Sequence, residues 1–234
     1  MALLHCKQFL ALCGATVVSV LAPSSAALAA GGTAVSVRVE GKTRTLLTPI
    51  TIRTHNGSIT KGGAPSGACP ATSGMGALDT ATGHRWSGTF STSFNSYLIK
   101  TILGDTESTT HFYWGIWIND RFATVGACGL TLKGGDRLLF AVDSVAHHEH
   151  PIEFMTPVSS QHAGHAFTVR VVSFSDAGKR TPLAGVHVSG PGGVNAITNS
   201  AGKARISASH AGALELHATH AGYIRAAPLR VHVS

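Results

Sequence analysis

Val35, Val37 and Val39 alternate with Ser36, Arg38 and Glu40, the two-residue period of a half-buried strand. Gly41-Lys42 turns the chain, and the Ile- and Thr-rich stretch from Leu46 to Thr54 reads as a second strand, so the pair predicts a β-hairpin. Residues 57–76 are rich in glycine and carry Pro65 and Pro70, which marks a loop. Ser73 to Thr82 is the one good helix candidate: Ser73 can cap it, Ala77, Leu78 and Ala81 form its apolar stripe, and Gly83 can stop it. A third strand is expected from Tyr97 to Leu103, ahead of the turn residues Gly104-Asp105.

Tyr113-Trp114-Gly115-Ile116-Trp117-Ile118-Asn119 predicts a fourth strand and concentrates the aromatic residues of an aromatic-poor chain. Phe112, Trp114, Ile116 and Ile118 share one face, read as core. Tyr113, Gly115, Trp117 and Asn119 share the other, an amphipathic aromatic surface beside a glycine. Arg121 to Val125 and Arg137 to Asp143 follow as further strands, the second with Leu138, Phe140 and Val142 inward. Hairpin, helix and further strands in this order predict a β-rich α+β domain, β-grasp-like, packing one helix on a mixed sheet.

The pattern breaks at His147-His148-Glu149-His150-Pro151 and resumes at Phe167. Beyond it, Phe167/Val169/Val171, Val186/Val188, Leu214/Leu216/Ala218 and Leu229/Val231/Val233 each keep period two, with turns at Gly190-Pro191-Gly192-Gly193 and Asn199-Ser200-Ala201-Gly202. Short strands divided by frequent turns predict a small antiparallel β-sandwich. The expected organisation is a leader over 1–29, a β-grasp-like domain over 30–145, a histidine-rich linker over 146–165 and a sandwich over 166–234.

Composition sharpens this picture. Only 12% of the residues are charged, about half the usual share, and the abundance of Thr, Val and Gly agrees with a β-rich fold. The net charge of +7 is spread singly along the chain, without a basic run or aromatic–basic interleaving, so no nucleic-acid partner is expected. Lys7, the apolar run from Phe9 to Leu21, Pro23 and the small residues ending Ala27-Leu28-Ala29-Ala30 read as a secretory signal peptide cleaved after Ala29. No later segment is apolar enough to span a membrane as a helix, so a secreted protein, free or associated with the cell envelope, is expected. Cys6 and Cys13 leave with the leader. Cys69 and Cys128 remain, an even pair that reads as one disulfide in an exported protein.

Several motifs carry resemblances. Val37-x-Val39-Glu40-Gly41, Leu46-Leu47, Ala77-Leu78-Asp79, Tyr113-Trp114-Gly115-x-Trp117-x-Asn119, Gly126-Ala127-Cys128 and Leu132-x-x-Gly135-Asp136 together resemble a bacterial secreted β-grasp domain family of unknown function, similar to the C-terminal domain of the cobalamin carriers transcobalamin and intrinsic factor. The likeness covers residues 34–144 and implies a β-grasp fold and a cobalamin-like or other small ligand. The carriers complete their site with a helical domain that this chain lacks. Pro182-Leu183-Ala184-Gly185-Val186, Thr198-Asn199-x-x-Gly202 and Gly222-Tyr223 resemble carboxypeptidase-regulatory-like, or transthyretin-like, sandwiches, with immunoglobulin-like domains sharing the pattern. Such modules imply a spacer or adhesion role without catalysis.

The candidate ligand-binding residues are Tyr113 and Trp117, whose rings suit stacking, Asn119, whose amide suits orientation, and Trp86, placed in a glycine-bounded loop at the edge of the same surface. His147, His148, Glu149 and His150 offer ligands suited to zinc or copper, with His162 and His165 nearby. Consecutive residues of an extended chain cannot all face one ion, so the run is assigned to a solvated linker and no metal or cofactor is expected. No nucleophile elbow, phosphate loop or paired carboxylates appear, so the chain is expected not to be an enzyme. These features predict a non-catalytic binder of an unknown small ligand. The alternative is a structural or adhesive envelope protein that meets a protein or polymer partner.

Overall fold

A five-stranded sheet, a three-stranded sheet and one helix build the first half of the molecule. The computed structural model describes residues 32–107, 110–155 and 158–234, so the expected leader and its cleavage site lie outside the described residues. Strands β1 (Ala34–Glu40) and β2 (Thr45–Arg53) form the expected antiparallel hairpin. Helix α1 (Gly74–Thr82) starts at Ser73, whose hydroxyl accepts from the Gly76 amide, and stops at Gly83, where φ of 57° gives the left-handed turn that glycine adopts without strain. Strands β3 (Trp86–Ser91), β4 (Ser96–Ile102) and β5 (Asp105–Thr106) make a small separate sheet. The aromatic strand is β6 (Phe112–Ile118), followed by β7 (Arg121–Phe122) and β8 (Arg137–Ser144).

The main sheet has the order β2-β1-β8-β6-β7, with β1 and β8 parallel and the other pairs antiparallel. Its central strand β8 is buried on both faces: Leu138, Phe140 and Val142 meet the helix-side core, while Leu139 and Ala141 face the other way. The helix-side core gathers Val35, Val37, Val39, Met75, Ala77, Leu78, Trp86 and Trp114. Cys69 and Cys128 are joined as expected, with Cα atoms 4.8 Å apart, and tie the loop before α1 to the turn at Ala127–Gly129. A bridge across 59 residues stabilises by about 4 kcal/mol in the chain-entropy treatment.

The second half is all strand and turn in its described residues. It comprises β9 (His150–Phe154), β10 (Ser160–Gln161), β11 (Ala166–Phe174), β12 (Arg180–Pro182), β13 (His187–Gly190), β14 (Val194–Ile197), β15 (Lys203–Ser207), β16 (Gly212–Thr219), β17 (Tyr223–Ile224) and β18 (Leu229–Val233). One sheet runs β10-β18-β16-β13-β14 and the other β12-β11-β9-β17, with β15 also on β11. Their inner faces share a core that includes Ile152, Val169, Val171, Val188, Ile206, Leu216 and Val231. The fold is β-rich, with α1 the single α-helix among the described residues.

Two local expectations differ from what forms. Trp86 opens strand β3 instead of lying in a loop, because Ser87-Gly88-Thr89-Phe90 pairs with β4 despite its glycine. The histidine-rich stretch is not all linker: His150–Phe154 pairs antiparallel with β11 and parallel with β17, and Ile152 is fully buried. Pro151 is tolerated there because proline is lost to a ladder only as a donor.

The two halves meet at a small apolar contact of Trp117, Leu139, Ala141 and Ile224, with Phe122 beside it. Trp117 is 1% exposed. Its indole lies back over Gly115, where an added Cβ would come within 2.6 Å of the ring. That glycine therefore makes room for the protein's own tryptophan. Gly115→Ala should push the ring out of its seat and cost about 1–3 kcal/mol as an overpacking strain. Urea unfolding should show a lower midpoint at unchanged slope, together with a changed near-ultraviolet tryptophan dichroism.

Candidate functional site

Strands β6 and β8 carry a network that runs from the aromatic strand into the histidine-rich segment. Tyr113 sits opposite Asp143 in the β6–β8 register, and its hydroxyl donates to Asp143 Oδ2 at 2.5 Å. Asp143 is fully buried. Its other oxygen accepts the backbone amides of Ser144 and Glu149, both at 2.8 Å, so the carboxylate is held from both sides. His148 Nδ1 lies 2.5 Å from Asp143 Oδ2, and the imidazole stacks parallel to the Trp117 indole with ring centroids 6.1 Å apart. Burial first, then the bond to Asp143, pushes the Tyr113 phenol well above its ordinary range.

The far edge of His148 meets a turn from the second half. His148 Nε2 is 2.8 Å from Asp176 Oδ1, and His150 Nδ1 is 3.4 Å from the same oxygen. Asp176 stands in the turn between β11 and β12, which is docked on β7 by the Phe122 amide donating to the Asp176 carbonyl at 3.0 Å. His148, His150 and Asp176 each point one ligand atom into a space where all three atoms lie within 4.8 Å of one another. Burial lowers the His148 pKa, but the bonds to Asp176 and Asp143 outweigh it and leave the group raised above its ordinary value.

Beside this network, the seam between the halves opens into a groove of about 240 Å³. Trp117, Arg38 and Arg137 line one side, and Phe154, Pro228 and Leu229 line the other. Two buried donors of the lining residues have no hydrogen-bond partner: Trp117 Nε1 and Arg38 Nη2. Arg38 is 5% exposed, with its Nε 3.6 Å from Glu40. Arg137 is engaged with Asp120 at 2.5 Å and Glu153 at 3.3 Å.

The sequence-predicted residues divide among different roles. Trp117 borders the groove, but its ring faces are covered by Phe122, His148 and Ile224. The open aromatic platform is therefore replaced by an internal contact with a groove at its edge. Tyr113 is half-buried and spends its hydroxyl on Asp143. Asn119 makes a turn: with Asp120 it holds positive φ values of 50° and 68°, the two-residue geometry that joins twisted strands. Its side chain bonds Asp136 and the Arg137 amide. Trp86 is not part of this surface. It is buried in the helix-side core, edge-on to Tyr97, and donates Nε1 to Asp79 Oδ1 at 2.6 Å.

Sequence reasoning missed Arg38, Asp143, Asp176 and Arg225. The spacing of His148 and His150 places both on one side of an extended chain, the one local signal that pairs them. Nothing local marks Asp176, which reaches them through the β9–β11 pairing. Compared with models of known protein families and with curated proteins, the chain matches none.

Electrostatics also close the seam. Arg225 donates to Glu40 Oε2 at 3.0 Å and to the carbonyls of Gly41 and Lys42 at 2.8 and 2.9 Å. Glu40 is 1% exposed, and burial pushes its carboxyl above the ordinary 4.5 against the pull of Arg38, Thr45 and Arg225. A carboxyl with a raised folded pKa supports folding fully below its unfolded value and loses that support as pH rises through the folded value. Arg225→Met raises the folded pKa further. The variant should lose about 3 kcal/mol near pH 7, where ionising Glu40 leaves it with Arg38 as its one remaining cation, and distinctly less near pH 4. Urea unfolding at the two pH values reads the difference.

Proposed function

We propose that this chain is an exported, non-catalytic binding protein that holds a small molecule, or a protruding group of a larger partner, in the groove beside Trp117. The carrying observation is the pair of buried, unpartnered donors, Trp117 Nε1 and Arg38 Nη2, on residues that line it. A buried donor without an acceptor costs about 1–3 kcal/mol, and an acceptor on a ligand would recover that cost. An arginine and an indole N–H beside apolar walls suit a carboxylate or another anionic head on a small apolar body. At about 240 Å³ the groove favours an occupant of amino-acid or sugar size over a cobalamin-like macrocycle. The hairpin, the single helix and the parallel β1–β8 pair support a β-grasp-like reading of the first half. The leader-like N-terminal sequence and the disulfide support export.

A second reading follows from the covered aromatic face. If the groove is empty in solution, the contact of Trp117 with the second half supports a structural or adhesive envelope protein whose partner is a protein or polymer.

Native mass spectrometry of the chain purified from its own host should reveal a co-purifying molecule, and saturation-transfer NMR with a panel of small carboxylates should find binders. Trp117→Phe keeps an aromatic ring in the seat but removes one donor, and Arg38→Met removes the other. Each should weaken the binders about tenfold or more, in line with hydrogen bonds to a charged group of about 1.5–3 kcal/mol. No co-purifying molecule and no carboxylate binder would overturn the small-ligand reading and leave the structural one.

A further inference from the structure

The cluster at the end of the Tyr113–Asp143–His148 chain brings three potential ligand atoms together. Asp143, fully buried and fixed by two backbone amides, faces His148 Nδ1 and keeps the imidazole proton on that nitrogen. In the neutral ring this leaves the lone pair of Nε2 turned toward Asp176 Oδ1, 2.8 Å away. His150 Nδ1 stands 3.4 Å from the same oxygen, is itself buried, and has no hydrogen-bond partner. A proton can bridge only one pair of these atoms. A metal ion can satisfy all three.

We infer that His148 Nε2, His150 Nδ1 and Asp176 Oδ1 form a site for one divalent transition-metal ion of the zinc class, with solvent completing its coordination. The donor set of two imidazoles and a carboxylate is the chemistry such ions take, and a tetrahedron with bonds of about 2.0–2.1 Å has edges of about 3.3 Å. The two separations from Asp176 Oδ1, 2.8 and 3.4 Å, bracket that value, and all three atoms lie within 4.8 Å of one another, so the two imidazoles need only close on the ion. The support behind the first ligand follows the same logic. A buried carboxylate bonded to the non-ligating nitrogen fixes the tautomer and ring orientation of a metal-binding histidine, and Trp117 holds the ring flat from the side. Asp176 is 55% exposed, so the ion would sit at the surface, open to water on one side. It would clip the segment before β9 to the turn after β11.

The test uses the full chain without an affinity histidine tag. After dialysis against metal-free buffer and addition of zinc, elemental analysis should give one zinc per chain for the parent protein and for His147→Ala, whose side chain lies outside the cluster. His150→Ala and Asp176→Ala should each lower zinc affinity at least tenfold with unchanged far-ultraviolet dichroism. Asp176 is an exposed turn residue, so its variant tests the site even if His150→Ala weakens the fold. Cobalt in place of zinc should give the visible absorption of a low-coordinate ion with mixed nitrogen and oxygen ligands in the parent and not in Asp176→Ala. Equal zinc uptake by the parent and both variants, loss of zinc in His147→Ala, or no zinc retained at micromolar concentration would each overturn the assignment. Carboxylate binding by the parent protein is read without metal, and zinc binding by Asp176→Ala is read without carboxylate, so the two ideas fail independently.

Discussion

The structure turns on the seating of one indole. Trp117 projects from a strand whose opposite face already belongs to a core, and its own face is closed by Ile224, Leu139, Ala141 and Phe122. A tryptophan buries about 200 Å² of surface, worth up to about 5 kcal/mol at the usual area coefficient. That makes a contact of few residues strong enough to hold two separately cored halves together. Gly115 is the local condition for it, since any side chain there would occupy the space of the ring. The polar clamps around the contact add orientation. Arg225 reaches Glu40 and two carbonyls past the end of β1, while Arg137 bonds Asp120 in its own half and Glu153 across the seam.

Both candidate sites are consequences of that seating. Two halves that meet through a small apolar contact do not close along their whole edges, and a groove remains beside the buried indole. The same ring offers a flat wall to His148, which fixes the imidazole plane and lets Asp143 and Asp176 address its two nitrogens from opposite ends. A core tryptophan thus sets both the lining of the groove and the aim of the histidine. Burial at this strand and chemistry beside it are two effects of one packing choice.

Much of the local architecture was legible in the sequence, because period-two alternation, a serine cap and a terminal glycine are local signals. The hairpin, the helix from Ser73 to Gly83 and the inward set on β8 all follow from them. The disulfide was legible by arithmetic. The site was less so. Tyr113, Trp117 and Asn119 fall on one face by alternation, yet Tyr113 bonds a buried carboxylate, Trp117 is core, and Asn119 lies past the end of β6 in a turn. Alternation tells which side of a strand a residue faces, and not what later stretch of chain will cover that side. Trp86 illustrates the converse: a glycine-bounded segment reads as loop until its pairing with β4 is seen.

The histidine-rich stretch shows why the cover was hard to foresee. Read alone, His147-His148-Glu149-His150-Pro151 is polar, proline-bearing and without a strand pattern, and a solvated linker is the economical reading. In the fold, its end is recruited as β9 by two partners far along the chain, β11 and β17, and Ile152 supplies the burial that holds it. Once that strand is fixed, His148 and His150 face the turn that bears Asp176, a residue 26 positions beyond His150. Long-range strand pairing brings together side chains that no local rule connects, and the convergence of His148, His150 and Asp176 follows from it.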